Sequence, residues 1–509
     1  MSFFESLLAL LLAAVLLLQV ARRLSLPYPA MLAVAGFALA FVPGAPTIAL
    51  DPETVLALFI APVLLDAAFD FPLSAARRLW RPLVVMALGA VLVSALTAAW
   101  IGVALAGLPV AAALVLGAIV APPDAAAATT VLSQVSLPRR TVAVLQGESL
   151  FNDATALLLF GGALAVQMAE GDAPGLALRL SLAVPGGIAF GVACGWAMGR
   201  IARFAGGTLG GNLLQFVNAF LVWIVADRLH LSAVLAVVAC AMTVARHPDV
   251  SSSPRNRVHS FAVWATVVFL LNVLAFLLMG MQARLILARL SAEQLQTALG
   301  FAGCVVAGLV VARFAVVMGW NRLAARFAAA RGSLPPPTVA QGVAVSWTGM
   351  RGLVSLATAF ALPAGFPQRD LVVLTAFIVV LATLVVQGLT LTPLIRLLRL
   401  DTVEDPDRDL AEARGKLGDV ALATLAGRTD PHALALRDIY DGKRGPDKAA
   451  WLDGHRATGR AVVTAQREAL DAMRADDALG TDGYYRLQEE LDWRELTLQP
   501  EDERRIEEA

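Results

Sequence analysis

The chain has 509 residues, of which 58% are hydrophobic and only 16% are charged. Soluble domains carry about 25% charged residues, so this composition excludes an ordinary cytosolic protein, and its apolar content excludes disorder. The formal net charge of zero conceals a split: residues 1–400 hold 24 Arg, no Lys and 14 acidic residues, whereas residues 401–509 hold 16 basic and 26 acidic residues. Neither part is strongly basic over a compact domain, so the sequence gives no sign of a nucleic-acid partner.

The apolar part, residues 1–400, contains repeated runs that are long enough to cross a bilayer. A spanning helix needs about 20 mostly apolar residues. We therefore predict an all-α polytopic membrane protein with about thirteen transmembrane helices, followed by an acidic helical tail over residues 401–509. The predicted spans cover residues 4–21, 27–43, 53–71, 82–106, 109–135, 141–169, 176–199, 208–226, 230–245, 258–282, 295–320, 338–363 and 370–395.

Arginine is distributed unevenly among the twelve loops between these spans. Fifteen arginines lie in the odd-numbered loops, and five are assigned to the even-numbered loops when Arg179, at the start of the seventh span, is included. The positive-inside rule then predicts a cell-membrane protein whose N-terminus is outside and whose tail is cytoplasmic. One missed or extra span would disrupt the alternation, so it supports the count of thirteen. The first run has neither a basic n-region nor a small-residue cleavage site, and we interpret it as a span and not as a signal peptide.

Several ionisable residues lie inside predicted spans, and those farthest from the span ends are Asp124, Glu148, Asp153, Arg313 and Arg351. A charge at the bilayer centre costs about 2.5–3.5 kcal/mol, so each needs a partner or a water-filled cavity and is a functional candidate. We interpret Asp124 and Asp153 as functional, and Glu148 and Arg351 as members of a structural ion pair. Arg313 could pair with one of the buried acids, and the sequence leaves its partner open.

The segment around Asp153 places three oxygen-bearing side chains together. Ser149, Asn152 and Asp153 share one helix face because they stand at positions i, i+3 and i+4, whereas Glu148 lies about 140° round the helix from Asp153. Hydroxyl, amide and carboxylate oxygens suit a hard cation such as Na⁺. A single carboxylate can hold either a cation or a proton, so competition for it is the simplest exchange mechanism. No cofactor is expected beyond the transported Na⁺ and H⁺.

Two predicted spans carry internal breaks. Two prolines remove amide donors at residues 121–125, and the glycine-flanked segment 349–352 interrupts the twelfth span. Non-helical backbone at membrane depth survives only when it is buried in protein or lines a cavity. Paired broken helices in spans five and twelve, an odd number of spans apart, predict inverted repeats with the ion site where the breaks cross.

Several segments then resemble one family. Residues 147–154, GESLFNDA, resemble the G-E-S-L-x-N-D signature of the NhaP/NHE-type monovalent cation:proton antiporters. Residues 121–125, APPDA, resemble that family's broken-helix T-D-P-type segment, and residues 347–356 resemble its W-x-G-x-R-G-x-x-S-L segment. Asp66 stands where the family often has a Glu after P-x-L-L-F. The likeness covers roughly residues 1–400.

The resemblance implies a 13-span antiporter fold, usually homodimeric, in which a mobile core moves against a dimerisation domain. It implies that Asp153 is the main ion-binding carboxylate and that Glu148 and Arg351 form a core ion pair. The helper residues that it implies for the transported cation and proton are Asn152, Ser149, Asp124 and Asp66.

Electroneutral Na⁺/H⁺ exchange by alternating access is the leading hypothesis, and the same scaffold exchanging K⁺ for H⁺ is its first alternative. An intramembrane aspartyl protease using Asp124 and Asp153 lacks the G-x-G-D segment expected of that group, and a channel is the remaining alternative. The tail shows helical periodicity at residues 410–426, 449–477 and 483–496. It is either a solvated appendage or a segment that binds a regulator or contacts a second subunit.

Overall fold

The computed structural model describes residues 3–24, 28–41, 52–71, 73–124, 139–168, 173–205, 209–246, 254–287, 291–327, 336–400, 406–442, 448–475 and 481–499. Every regular element within these residues is helical, which confirms the predicted all-α class. The chain separates into two compact units, Met1–Glu404 and Asp405–Glu508.

The first unit is built from helices that overlap all thirteen predicted spans. The second half of the fifth predicted span, beyond Asp124, lies outside the described residues. The helices are α1 (Phe3–Leu24), α2 (Tyr28–Leu39), α3 (Pro52–Asp70), α4 (Leu73–Arg78), α5 (Trp80–Ala106), α6 (Val110–Val120), α7 (Arg139–Met168), α8 (Ala173–Ala205), α9 (Leu209–Arg228), α10 (Ala233–Arg246), α11 (Pro254–Leu287), α12 (Ala292–Arg326), α13 (Val339–Trp347), α14 (Leu353–Phe360) and α15 (Arg369–Leu397).

Length and apolarity identify the helices that can cross a membrane. Six segments of the described chain meet both conditions: Trp80–Ala106, Arg140–Met168, Ser181–Ile201, Ser260–Leu278, Ala292–Arg326 and Arg369–Leu397. Shorter apolar helices include Tyr28–Leu39, Val110–Val120 and Ala233–Arg246. The number of thirteen crossings stays a prediction.

Small residues let neighbouring helices approach closely. A Cβ atom on Gly36 of α2 would overlap the Leu277 carbonyl oxygen of α11, and a Cβ atom on Gly280 of α11 would overlap the Ala33 carbonyl oxygen of α2. Lipid supplies no hydrophobic force between membrane helices, so such helices associate through close packing of small residues. The reciprocal contact therefore requires glycine at both positions and holds α2 against α11.

The two broken helices lie among the other helices of the unit. α6 packs on α5 and α7, and α14 packs on α3, α6 and α15. α13 begins with a capping box in which the Thr338 hydroxyl accepts from the Gln341 amide and the Gln341 side chain accepts from the Thr338 amide. α5 and α15 each contain one π-helical turn, at Val85–Ala90 and Thr383–Gln387. The π-helical turn of α15 faces the break between α13 and α14, since its Thr383 hydroxyl accepts a hydrogen bond from the Arg351 amide.

The described residues of the second unit form four helices: α16 (Pro406–Leu425), α17 (Pro431–Gly442), α18 (Lys448–Ala475) and α19 (Thr481–Leu498). Helix α17 lies outside the three helical segments that the periodicity of the tail predicts, since a proline beside its start is typical of a break. Asp430 is instead the N-cap of α17, since its carboxylate accepts a hydrogen bond from the Ala433 amide at 3.0 Å, and Pro431 occupies the first helical position.

Helices α18 and α19 pack together around Val463, Leu470 and Leu491. At the edge of this small core, Arg467 forms ion pairs with Asp492 and Glu495. These two carboxylates raise the pKa of the Arg467 guanidinium, so the arginine stays charged at every physiological pH. A charged link thus fixes the pairing of the two helices.

Candidate ion-binding site

The first helix break follows α6. This helix ends at Val120, and Pro122 and Pro123 cannot donate backbone hydrogen bonds to continue it. The next residue, Asp124, donates its amide to the Met350 carbonyl oxygen at 2.7 Å. Since Met350 lies in the second break, the two breaks meet, as the sequence predicted.

The Asp124 carboxylate caps the second half of the other broken helix. Its Oδ2 atom accepts a hydrogen bond from the amide of Leu353, the first residue of α14, at 3.1 Å. A carboxylate at this position is stabilised by the positive end of the helix dipole and by the unsatisfied amides of the first turn. Gly352 makes the approach possible, because a Cβ atom there would overlap Asp124 Oδ2. Asp124 therefore has a structural bond besides any role in ion binding.

The second break is anchored through its backbone. The Arg351 amide donates to the Thr383 hydroxyl on the π-helical turn of α15 at 3.0 Å. The Arg351 side chain is only 2% exposed, and within the described residues its Nε and Nη1 atoms have no hydrogen-bond partner. The arginine thus contributes its backbone to the architecture, and two of its three guanidinium nitrogens are left without a hydrogen bond by the described residues.

The direct partner of Glu148 is Arg313 and not Arg351, the partner that the family resemblance implied, although the Glu148 carboxylate lies near enough to attract the Arg351 charge. Glu148 is bonded by Arg313 of α12 in a bidentate arrangement, with Nη1 to Oε1 at 2.5 Å and Nη2 to Oε2 at 3.0 Å. Arg313 also donates to the Val345 carbonyl oxygen from Nε at 3.2 Å and from Nη2 at 3.0 Å. Gly349 leaves room for the Arg313 side chain, because a Cβ atom at this position would lie 2.5 Å from Arg313 Cδ. The ion pair therefore joins α7 to α12 and also holds the end of α13.

Asn152 links α7 to the first break. It is 0% exposed, and its Nδ2 atom donates to the Pro123 carbonyl oxygen at 2.9 Å. Its Oδ1 atom has no hydrogen-bond partner in the described part of the chain. Asp153, 7% exposed, is the next residue and lies close enough to Asp124 for their charges to repel when both are ionised. Two carboxylates and an unpaired amide oxygen are thus gathered at one break.

The other two predicted helpers, Ser149 and Asp66, lie on α7 and α3. Ser149 is half-buried on α7, one turn before Asp153, and Asp66 is half-buried on α3, which packs on both α7 and α14. Within the described residues, no three His, Cys, Asp or Glu side chains form a group that could hold a metal ion. Amide, hydroxyl and carbonyl oxygens are hard ligands that could complete the coordination of a cation beside the two carboxylates. Ligation by Ser149 and Asp66 stays a prediction.

Sequence reasoning missed the polar groups that position the breaks. Thr383 lies in an apolar run where a threonine normally bonds to its own helix, so nothing in its spacing identifies it. The carbonyl groups of Pro123, Met350 and Val345 are backbone atoms, and any residue supplies them. Only the prolines and glycines beside them indicated that some backbone groups would be left for such bonds.

Comparison with known proteins agrees with this architecture. Residues 8–397 match the family described as sodium/hydrogen exchanger, transmembrane. An uncharacterized Na⁺/H⁺ exchanger of Mycobacterium tuberculosis strain H37Rv is 29% identical over 96% of this chain and 95% of its own length. The sodium, potassium, lithium and rubidium/H⁺ antiporter of Bacillus pumilus is 26% identical over 91% of this chain and 73% of its own length. The Na⁺/H⁺ antiporter NhaP of Pseudomonas aeruginosa is 32% identical over 56% of this chain and 65% of its own length.

A solved structure shares the fold. The sodium proton antiporter MjNhaP1 of Methanocaldococcus jannaschii superposes with a TM-score of 0.62 at 18% identity, covering 78% of this chain and 100% of the other. The family match extends over more than three quarters of the sequence, which confirms the family that the motifs indicated. The chain therefore belongs to the transmembrane sodium/hydrogen exchanger family, and it is a multi-pass membrane protein of cation and proton antiport, not an enzyme.

Proposed function

We propose that this protein exchanges Na⁺ or Li⁺ for H⁺ by alternating access, with Asp153 as the carboxylate that binds either ion. The observation that carries the proposal is the Asn152–Asp153 pair beside the first break. Asn152 uses its nitrogen to hold the Pro123 carbonyl group and keeps its oxygen unbonded within the described residues. An unpaired buried amide oxygen is costly unless something positive approaches it. A cation held between this oxygen and the adjacent carboxylate would supply that charge.

The exchange is electroneutral in this proposal. The helix face of Asn152 and Asp153 carries one carboxylate, so one cation displaces one proton. Asp124 keeps a bond to the Leu353 amide that favours its ionised form throughout the cycle. Transport in proteoliposomes should then respond to either ion gradient and be insensitive to a valinomycin-clamped membrane potential, whereas one moved charge would feel about 2.3 kcal/mol per 100 mV. A current that persists through steady turnover would show that Asp124 or Asp66 carries a second proton.

K⁺/H⁺ exchange on the same scaffold is the second candidate. The specific support for it is the Bacillus pumilus relative, whose name includes potassium and rubidium with sodium and lithium. Selectivity depends on the size and flexibility of the cation site. The family assignment removes the aspartyl protease alternative, because its members are exchangers.

The membrane arrangement is part of the proposal. The arginine distribution supports a cell-membrane location with the N-terminus outside and residues 401–509 in the cytoplasm. The resemblance to the antiporter family supports a homodimer in which a core moves against a dimerisation domain. A regulator or a second subunit is the partner that we propose for the acidic tail.

The deciding experiment is a fluorescence dequenching assay in everted membrane vesicles. Na⁺, Li⁺ and K⁺ are added in turn after respiration has acidified the vesicles, and each transported cation releases protons from the interior. Dequenching by Na⁺ and Li⁺ but not by K⁺ supports the leading proposal, and dequenching by K⁺ supports the second. Proton release without any added cation would contradict exchange, since it indicates conduction.

A further inference from the structure

A small cavity lies near the ends of four helices, beside the Glu148–Arg313 pair. Its volume is about 50 Å³, and residues of α5, α7, α12 and the start of α13 line it. Pro82, Met86 and Val317 belong to the apolar part of the lining. The polar side chains of the lining are Arg140, Thr141, Trp320, Asn321 and Gln341.

The polar lining is rich in hydrogen-bond donors. Arg140 is permanently charged and half-buried, and Arg78 lies close enough for the two positive charges to repel. Thr141 is a further donor and is only 6% exposed. Gln341 uses its Oε1 atom to accept from the Thr338 amide at 3.0 Å, so its NH₂ group is the part left to donate. Donors and positive charge together suit an anion.

The chain segments around the cavity carry no carboxylate that would repel an anion. Residues 79–123, 125–147 and 294–369 contain no Asp or Glu, and every charged residue in them is an arginine. Glu148 is the first acidic residue of α7 beyond those that line the cavity, and its carboxylate is already bonded by Arg313. A bound anion would therefore meet an excess of positive charge from all these segments.

The cavity is also joined to the buried ion pair. Val144 stands one turn before Glu148 on α7, and Val317 stands one turn after Arg313 on α12. Val345, whose carbonyl oxygen accepts from Arg313, is a third lining residue. A ligand that fills the space would brace α7, α12 and α13 against one another directly beside this pair.

We propose that the cavity binds the phosphate group of an anionic phospholipid at the arginine-rich membrane surface. Basic pockets between membrane helices on the cytoplasmic side are suited to such headgroups. Pro82, Met86 and Val317 would meet the glycerol and the first methylene groups of a lipid whose phosphate entered the cavity. Trp80, 56% exposed at the start of α5 with Arg81 stacked 5.4 Å from its ring centroid, is the kind of residue found at that depth.

Thermal unfolding of the purified full-length protein in an uncharged detergent tests the proposal without any transport measurement. The probes are dioctanoyl phosphatidylglycerol, dioctanoyl phosphatidylcholine and inorganic phosphate, all at one ionic strength. A ligand that binds only the folded protein raises Tm. We expect the phosphatidylglycerol to raise Tm by a few degrees and the phosphatidylcholine to leave it unchanged. Arg140→Gln should abolish the rise, and the near-isosteric Thr141→Val should reduce it.

Arg322→Gln is the matched control, because Arg322 is an exposed arginine of α12 that does not line the cavity. It should keep the full rise. A rise with inorganic phosphate equal to that with the lipid would identify free phosphate as the source of the ligand. No rise in the wild type, or the same rise in all variants, would overturn the proposal. If Arg140→Gln does not insert into the membrane, the comparison of the Tm rise in Thr141→Val with that in Arg322→Gln still tests the lipid site. Absence of lipid binding would not affect the exchange proposal, which rests on the residues of the two breaks.

Discussion

The two helix breaks occupy corresponding places in spans five and twelve, yet they are made of opposite chemistry. The first is produced by Pro122 and Pro123, which cannot donate, and it ends in the acidic Asp124. The second is bounded by Gly349 and Gly352 and contains a base, Arg351. The Asp124 carboxylate of the first break caps α14, and the Met350 carbonyl group of the second break accepts from the Asp124 amide, so each break supplies a bonding group to the other.

The same difference explains how each break is held in place by the span that follows it. Pro123 has only a carbonyl group to offer, and Asn152 of α7 meets it with an amide donor at 2.9 Å. Arg351 offers an N–H group, and Thr383 of α15 meets it with a hydroxyl acceptor at 3.0 Å. In both breaks the helix that follows supplies the holding side chain, and the backbone atom available at the break selects its type: an amide donor for a carbonyl group and a hydroxyl acceptor for an N–H group.

The largest effect is expected at the carboxylate beside the first break. Asp153→Asn should reduce cation-driven proton movement to the background, because no other acid shares its helix face, and it should leave a folded, inserted protein. Dequenching in everted vesicles measures the loss. Asp70→Asn, the same change at an exposed acid of α3, should keep wild-type exchange. Normal exchange by Asp153→Asn would mean that the first break does not hold the shared site.

Asp124 tests whether the link between the breaks acts through charge or through capping. Asn is as good an N-cap as Asp, so Asp124→Asn keeps an acceptor for the Leu353 amide and removes only the charge, whereas Asp124→Ala removes both. We expect severe loss of exchange in both variants and an additional loss of about 1 kcal/mol of stability in the alanine variant alone. Unimpaired exchange in Asp124→Asn, measured in the same vesicle assay, would show that the first break needs a cap and no charge.

The Glu148–Arg313 pair should affect stability more than ion binding. Removing one member of a buried ion pair costs about 3–5 kcal/mol, because the other charge is left unpaired. Glu148→Ala and Arg313→Ala should therefore each lower Tm in detergent, and the double variant should be less damaged than the sum of the two. The control cycle combines Glu148→Ala with Arg351→Ala. A larger coupling free energy between Glu148 and Arg351 than between Glu148 and Arg313 would show that Arg351 is the main partner of Glu148, as first predicted.

Local features of the fold could be predicted from the sequence, and contacts between distant spans could not. Prolines and glycines located both breaks, and helical periodicity placed Asn152 and Asp153 on one face, because these depend on neighbouring residues. The choice between Arg313 and Arg351 as partner for Glu148 depends on how α7, α12 and α13 pack. Both arginines carry the same charge inside apolar runs, so the sequence does not distinguish them. The space that Gly349 leaves for Arg313 depends on how distant helices pack.

The smallest effect is expected at Thr383, where the second break alone is tested. Thr383→Val keeps the shape and removes the acceptor, which leaves the buried Arg351 amide unsatisfied at a cost of about 1–3 kcal/mol. Thr383→Ser should keep most of the wild-type stability, because serine also supplies a hydroxyl acceptor for the Arg351 amide. Thr375→Val is the matched control on α15, since the buried Thr375 hydroxyl bonds only within its own helix, to the Leu371 carbonyl oxygen at 2.7 Å. Tm values should therefore fall in the order Thr383→Ser, Thr375→Val, Thr383→Val, with Thr383→Val the lowest. Equal damage from the serine and valine variants would show that packing, and not the bond to Arg351, holds this break.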